Sequence, residues 1–230
     1  LAHVDLLHLA RRLWRDRLPS RTLANLEVQI LGASRTDEEI PGWMIPQIYF
    51  DYLRDGDARP LTRVFYHNAM DVVSLAALLN LTSSLLEQPH SDPTINTIDL
   101  AAIARLIEDL GHIDQAAELY ALCLASDLPE DIHTDTILRL AMLHKRNNNY
   151  AAAIKLWEKA AARRRIQAYE ELAKYFEHHA IDLEQALKWT LEAIDGIDSA
   201  CLVSSETIWW RSEFEHRLQR LQRKISLKEK

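Results

Sequence analysis

The strongest constraint on the fold is an internal repeat in the C-terminal part of the chain. Alanine recurs at Ala116, Ala153 and Ala186, which are 37 and 33 residues apart. A period of about 34 residues, with small side chains where neighbouring helices touch, is typical of stacked helix pairs. The sequence therefore predicts an array of helical hairpins over residues 95–230.

Each repeated segment has the pattern of a helix, a short polar turn and a second helix, and the three segments resemble the tetratricopeptide repeat. Bulkier residues follow the alanines by four positions, at Tyr120, Trp157 and Thr190. Only Gly111 keeps the turn glycine of that family, and the third segment needs one inserted residue near HHAID. Residues 205–230 have the charged, polar surface expected of a terminal capping helix.

The first 88 residues lack this repeat. LAHVDLL predicts a short buried strand that ends near Leu7, and HLARRLWRDRL predicts a helix with one apolar side. A short helix should then end at Gly32, a second helix should cover about Ile45–Leu53, and a long helix about Leu61–Leu86. Scarce glycine and abundant alanine and leucine favour helix throughout the chain.

Composition limits the classes of function. The net charge of −7 argues against a protein that simply coats nucleic acid, because such proteins are usually basic. The two cysteines, Cys123 and Cys201, stand in apolar surroundings without a CxxC pair, which predicts core residues in a reducing, cytoplasmic compartment. No uninterrupted apolar run approaches the ~18 residues of a membrane span, so we expect no membrane association.

The stretch FYHNAMDVVSL places His67 and Asp71 four residues apart in the predicted long helix. Residues at this spacing lie on one side of a helix. The carboxylate can ligate a hard divalent cation, and an imidazole one turn earlier can orient or deprotonate a water molecule. An ordinary helix with a solvated aspartate and a partly buried histidine has the same spacing, so spacing alone leaves both interpretations open.

Four stretches within residues 1–86 carry a more specific resemblance than any single motif. They are HVDLLHLARRLW, LPSRTLANLEVQILG, IPGWMIPQIYFDYLRDGDARPL and VFYHNAMDVVSLAALL. In order and spacing they resemble the C-terminal half of the YprB-like ribonuclease H-like domain, within the DEDD exonuclease superfamily. The resemblance implies a mainly α fold: a truncated α/β ribonuclease H-like half-domain over residues 1–88, followed by a tetratricopeptide-like α-solenoid.

The resemblance also implies a chemistry. In that superfamily four carboxylates hold two divalent ions, Mg²⁺ or Mn²⁺, and a histidine or tyrosine assists the attacking water. By resemblance, Asp71 is the last of the four acids and a metal ligand, and His67 handles the water. Family members usually place the histidine five residues before the acid, or a tyrosine four before it. Here Tyr66 has the histidine's spacing and His67 the tyrosine's, so the role falls to His67, Tyr66 or neither.

The other acids of the superfamily's site would precede Leu1, and Asp5 lies in a stretch that resembles the segment after the second acidic motif. We therefore assign Asp5 a structural or supporting role and expect the fragment itself to be inactive. The parent is expected to be a metal-dependent 3′–5′ exonuclease that acts on a nucleic-acid strand or end, with DNA and RNA both open. The alternative is a scaffold whose repeats bind a protein or peptide beside a degenerate nuclease-like domain.

Arginines are crowded near the start of the chain, with five in eleven residues. A guanidinium can bind phosphate through two parallel hydrogen bonds. We therefore predict that Arg11, Arg12 and Arg15 contact nucleic-acid phosphates. The alternative is a solvated helix surface paired with nearby acids.

Overall fold

The computed structural model describes residues 4–33, 40–89, 95–199 and 204–228. Every regular element in these ranges is helical, and no β-strand occurs among them. The prediction of a mainly α fold is confirmed, whereas the α/β character predicted for residues 1–88 is not seen in the described part of that region. The chain divides into two compact units, Leu1–Gly111 and His112–Lys230.

The N-terminal unit begins with α1, Leu6–Trp14, so the predicted strand is wrong for its last two residues. Its first three residues lie outside the described ranges. The side chain of Asp5 accepts a hydrogen bond from the Leu7 backbone N at 2.8 Å, which satisfies an amide that has no partner within the helix. Leu13 and Trp14 carry the apolar side of α1 into the core. Capping and this helical spacing of apolar residues explain why Leu6 and Leu7 are helical.

A second helical stretch follows. The helix α2, Leu23–Leu26, continues into a π-helical turn over Glu27–Leu31. Gly32 ends this stretch in the left-handed region, with a φ of 65°, where a side chain would introduce strain. The predicted stop at Gly32 is confirmed.

Two longer helices come next. A 3₁₀ turn over Gly42–Met44 leads into α3, Ile45–Asp55, which ends at Gly56 with a φ of 69°. The helix α4 spans Leu61–Glu87 and packs against α3. Both helices agree with the sequence prediction to within two residues at their ends.

Much of the apolar surface of these two helices is exposed. In α3 no residue is buried, and in α4 only Ser74, Leu78 and Thr82 are buried. We use the name α3–α4 surface for the large apolar side chains that are more than half exposed in α3, in α4 and in the turn before α3. They are Trp43, Phe50, Leu53, Phe65, Val72 and Val73.

The helix α4 is also long and apolar enough to cross a membrane, with a mean hydropathy of 1.6 over its most apolar window. A single helix that passes this test is weak evidence for a span. Asp71 lies inside α4, and a charged aspartate at the centre of a bilayer costs about 2.5–3.5 kcal/mol. The expectation of no membrane association stays a prediction.

The last helix of the N-terminal unit is α5, Thr97–Asp109, which packs against α1. Arg17 Nη2 lies 2.7 Å from Oδ2 of the buried Asp99, and Arg105 pairs with Asp16. The sequence pattern assigns α5 to the helical repeats, whereas these ion pairs join it to the segment after α1. The predicted boundary between the two domains stays a prediction.

The C-terminal unit contains six helices in its described residues, and each packs against the next. They are α6 (Ile113–Leu124), α7 (Glu130–Arg146), α8 (Tyr150–Ala161), α9 (Ile166–His178), α10 (Leu183–Ser199) and α11 (Ser205–Lys228). Such consecutive packing is what an array of helical hairpins requires. The specific assignment to the tetratricopeptide repeat stays a prediction.

The residues that define the repeat lie in the core. The three alanines and the bulkier residues four positions later have at most 1% of their surface exposed. They are Ala116, Ala153, Ala186, Tyr120, Trp157 and Thr190. Cys123 is also completely buried, as predicted, while Cys201 lies outside the described residues.

The links within the repeats share a backbone conformation even though they do not share glycine. Five positions before each repeated alanine the backbone is left-handed, at Gly111 (φ 88°), Asn148 (φ 56°) and Ile181 (φ 55°). In the second repeat Asn149 N donates to a carbonyl five residues back, whereas Asp182 N in the third donates to one six residues back, both at 2.8 Å. This wider turn accommodates the inserted residue that the sequence predicts.

Candidate nuclease site

The helix α4 brings His67 and Asp71 into contact on one side of the helix. His67 Nε2 lies 3.4 Å from Asp71 Oδ2, as expected for side chains one turn apart. The two side chains are 12% and 33% exposed. The carboxylate is therefore held against the protein and still reachable from one side.

His67 lies against the 3₁₀ turn that precedes α3. Its Nε2 is 4.0 Å from the place that a Cβ on Gly42 would occupy, which is an ordinary van der Waals distance. Its Nδ1 is buried and has no hydrogen-bond partner among the described residues. An unpaired buried polar atom costs about 1–3 kcal/mol, which favours a partner from outside the described part of the chain.

Tyr66 does not share this side of α4. It stands five residues before Asp71, which places it about 140° around the helix axis from the acid. Its surface is 37% exposed. His67 contacts Asp71 in the structure, while the spacing of Tyr66 is the one at which the family usually has its histidine. Which of the two handles the water stays a prediction.

The three predicted phosphate-binding arginines lie at the end of α1. Arg11 is exposed, Arg12 pairs with Asp109, and Arg15 Nε lies 3.2 Å from Asp16 Oδ1. The paired arginine side chains are 46% and 71% exposed. Because exposed ion pairs contribute only about 0–1 kcal/mol, a phosphate could replace these carboxylates. Phosphate contact by the three arginines stays a prediction.

Two acids near these arginines are structural, and sequence reasoning did not identify their partners. Burial tends to raise the pKa of Asp16, but the hydrogen bond and charge of Arg105 outweigh it and hold the pKa below its usual value. Burial raises the pKa of Asp99 even though Arg17 bonds to it. Both pairs join residues more than 80 positions apart, which no local pattern reveals.

The described residues supply only part of a metal site. They contain no group of three or more histidine, cysteine, aspartate or glutamate side chains placed to hold a metal ion. Asp71 beside His67 fits one corner of a two-metal site, and one carboxylate does not hold two ions. The prediction of Mg²⁺ or Mn²⁺ at this place is therefore not tested by the described residues.

Comparison with known proteins supports the nuclease-like interpretation at a coarse level. Residues 1–83 match the family model RNase_H_2, described as RNase_H superfamily. This N-terminal part is therefore RNase H-like.

The uncharacterized protein YprB of Bacillus subtilis (strain 168) is 31% identical over 229 residues, which cover 97% of this chain and 53% of that relative. The chain thus spans about half the length of the curated relative, and no solved structure matches it significantly.

Sequence reasoning missed a pocket that lies in the C-terminal unit. A pocket of about 370 Å³ is lined there by aromatic and basic side chains, including Tyr150, Tyr175 and His179. The adjacent histidines His178 and His179 predict no metal site, and nothing in their spacing reveals the aromatic contacts of His179. The clue available in the sequence is that Tyr150 and His179 stand next to the polar links of successive repeats.

Proposed function

We propose that residues 1–83 are the C-terminal part of a metal-dependent nuclease domain, in which Asp71 is a metal ligand and the neighbouring His67 handles the attacking water. The observation that carries this proposal is the contact between His67 Nε2 and Asp71 Oδ2 within the segment that matches the superfamily model. A carboxylate oxygen is a preferred ligand of hard divalent cations. The remaining ligands and the metal-dependent steps belong to the whole domain.

The α3–α4 surface supports the same proposal. A helix with apolar residues on more than one side is stable in water only when another layer covers it. Phe65, Val72 and Val73 are 68%, 57% and 58% exposed in the described structure. In the proposed domain, the sheet of the RNase H-like fold covers this surface and places its acids near Asp71.

We further propose that the parent acts as a 3′–5′ exonuclease on a single strand or a strand end. The resemblance to the DEDD superfamily is the basis for the polarity and for Mg²⁺ or Mn²⁺. Exposed Arg11, Arg12 and Arg15 would contribute phosphate contacts that hold the strand without reading its bases.

The test uses the full-length parent with Mn²⁺ and a single strand that carries a label at its 5′ end. Asp71→Asn keeps the shape of the side chain and removes the ligand charge, so we expect at least a hundredfold loss of digestion. Asp55→Asn is the matched control, since Asp55 is an exposed aspartate at the end of α3, and it should stay within twofold of wild type. A ladder of shortened 5′-labelled products indicates 3′–5′ polarity.

Equal digestion by wild type and the Asp71→Asn variant contradicts the assignment of Asp71. No digestion by the wild-type parent favours the second candidate, a helical-repeat scaffold beside a degenerate nuclease-like domain. The consecutive packing of the C-terminal helices is the observation that favours a binding role of this kind.

A further inference from the structure

The pocket of the C-terminal unit has a preorganised aromatic wall. The ring centroids of Tyr150 and His179 are 4.5 Å apart, and those of Tyr150 and Tyr175 are 5.2 Å apart. A hydrogen bond of 3.2 Å between Tyr150 Oη and His179 Nε2 fixes these two rings relative to one another. Aromatic side chains of this kind stack on bases of any sequence.

The other side of the pocket is basic. Its lining includes Lys145, Lys174, Arg217 and Arg220, with Glu171 as the acid among them. Glu171 pairs with Lys145, and its Oε1 lies 3.6 Å from Lys174 Nζ. Lys174 Nζ also lies 2.8 Å from Glu170 Oε1, just outside the lining. Even with this acid and Glu177 counted, the five cations Lys145, Lys174, Arg217, Arg220 and Lys224 outnumber the three carboxylates around the pocket, although the whole chain carries a net charge of −7. Local positive charge in an acidic protein favours an anionic ligand.

A buried acid fixes the two arginines in place. The side chain of Glu177 is completely buried and accepts hydrogen bonds from Arg217 at 2.9 Å, from Arg220 at 3.0 and 2.8 Å, and from Lys224 at 2.8 Å. One carboxylate cannot neutralise three cations, so this cluster keeps an excess of positive charge. Arg220 bonds to Glu177 through Nε and Nη2, and Arg217 bonds to it through Nη1. The N–H groups that remain on these fixed guanidinium groups are the donors they would offer to a phosphate.

Trp157 adds an unused donor to the lining. Its side chain is 1% exposed, and its buried indole Nε1 has no hydrogen-bond partner among the described residues. A buried N–H without an acceptor is unfavourable, and this indole would have to shift before its N–H could reach a ligand in the pocket. As it stands, the pocket combines flat rings with fixed cations.

We propose that this pocket binds one nucleotide unit, with the base against the Tyr150, Tyr175 and His179 rings and the phosphate near Lys174 and the arginines. An acidic peptide would satisfy the cations but would gain little from the aromatic wall. The volume of about 370 Å³ is within the usual range for small-molecule sites. This inference uses residues of the C-terminal unit alone and goes beyond the proposed nuclease site.

Isothermal titration of the 230-residue chain tests the proposal, in EDTA so that the result is independent of nuclease activity. The probes are adenosine 5′-monophosphate, adenosine, ribose 5-phosphate, a single-stranded hexa-adenylate and a hexaglutamate peptide. We expect the monophosphate or the hexa-adenylate to bind at least tenfold more tightly than adenosine or ribose 5-phosphate. Binding of the monophosphate identifies a site for free nucleotides, and binding of the hexa-adenylate alone identifies a site for a strand.

Paired variants locate the binding. Tyr150→Leu removes the ring and should weaken binding at least about fivefold. Tyr150→Phe keeps the ring and loses the hydrogen bond to His179, so it should weaken binding less than Tyr150→Leu does. Lys174→Glu should also weaken binding at least about fivefold. Lys188→Glu is its control, because Lys188 is an exposed helical lysine 3.9 Å from Glu192 that does not line the pocket. Circular dichroism melts verify that each variant is folded.

Three results overturn the proposal. The first is that neither nucleotide probe binds the wild-type chain. The second is that hexaglutamate binds more tightly than both nucleotide probes, which assigns the pocket to an acidic peptide. The third is that the Lys174 and Lys188 variants lose the same affinity while Tyr150→Leu loses none, which indicates non-specific attraction to the surface.

Discussion

At the scale of single residues, Ile181 occupies a backbone conformation that its side chain disfavours. Its φ is 55°, and the same place in the other repeats has glycine or asparagine, the residue types that tolerate this region best. A left-handed residue other than glycine costs of order 1–3 kcal/mol, and β-branching makes isoleucine a poor choice. Since the side chain is 60% exposed, packing offsets little of this strain.

Replacing this isoleucine should stabilise the chain. We expect Ile181→Asn to raise the free energy of unfolding by about 1 kcal/mol, because asparagine adopts a positive φ with less strain. Urea unfolding followed by circular dichroism measures the change. Ile208→Asn is the matched control, since Ile208 is 59% exposed inside α11 and asparagine disfavours helix, so it should destabilise slightly. Equal effects of the two substitutions contradict the assignment of strain to Ile181.

Local rules account for the residues that sequence reasoning placed correctly. The contact between His67 and Asp71 follows from helical periodicity, and the end of the second helical stretch follows from the left-handed Gly32. The ion pairs of Glu177 are contacts that such local rules do not predict. Its partners Arg217, Arg220 and Lys224 follow it by 40 to 47 residues, and only the packing of α11 brings them to it.

At the scale of elements, α9 and α11 are joined by this charged cluster. Hydrogen bonds and charges from Arg220 and Lys224 overcome the effect of burial and lower the pKa of Glu177 to about 2. A carboxyl whose pKa is lower in the folded chain stabilises that chain above its unfolded pKa of about 4.5. The stability that the ionised Glu177 carboxylate adds should be lost as the pH falls from about 4.5 to about 2.

The pH dependence of unfolding tests this linkage. At pH 7 the variant Glu177→Gln should lose roughly 3 kcal/mol of stability, because the cations lose their counter-ion. The difference between wild type and variant should shrink towards zero as the pH falls towards about 2. Urea titrations at several pH values measure this stability difference. Glu192→Gln is the control, because Glu192 is an exposed residue of α10 and its variant should follow wild type. A difference that does not change with pH contradicts the role of the charge.

The bounds of the helices were easier to predict from the sequence than the contacts between helices. Apolar periodicity and end signals located α3 and α4 to within two residues. The predicted strand was wrong at Leu6 and Leu7 because Asp5 caps a helix that starts there, and a short apolar run does not distinguish a strand from a helix. Assignment of α5 to the N-terminal unit depends on Arg17–Asp99 and Arg105–Asp16, which are long-range contacts.

At the scale of the whole molecule, the α3–α4 surface indicates an incomplete layer. Monomeric proteins rarely expose large apolar patches. Half of the side chains that define this surface, Phe65, Val72 and Val73, lie on the helix that carries His67 and Asp71. The chain spans 53% of its curated relative, so the proposed function places the covering layer in the rest of the parent.

Polar substitutions on this surface should improve the behaviour of the 230-residue chain in solution but reduce the stability of the parent. Phe65→Gln with Val72→Gln should reduce self-association of the 230-residue chain, because fewer apolar side chains meet water. In the parent the same pair should destabilise by about 1.5–3 kcal/mol per residue, because both are then buried. Analytical ultracentrifugation and thermal melts measure the two effects, with Leu227→Gln as an exposed control. Unchanged stability of the parent contradicts burial of this surface.

The cluster around Glu177 also decides where the protein can be shortened. A version trimmed just before Ser205 would keep a carboxylate inside the array while losing all three of its counter-ions. The Glu177 carboxyl group would then have to take up a proton, or the hairpin of α9 and α10 would have to open so that water reaches it. The helix α11, whose basic side chains suggest a role in solubility alone, should therefore be retained in any trimmed version made for crystallisation.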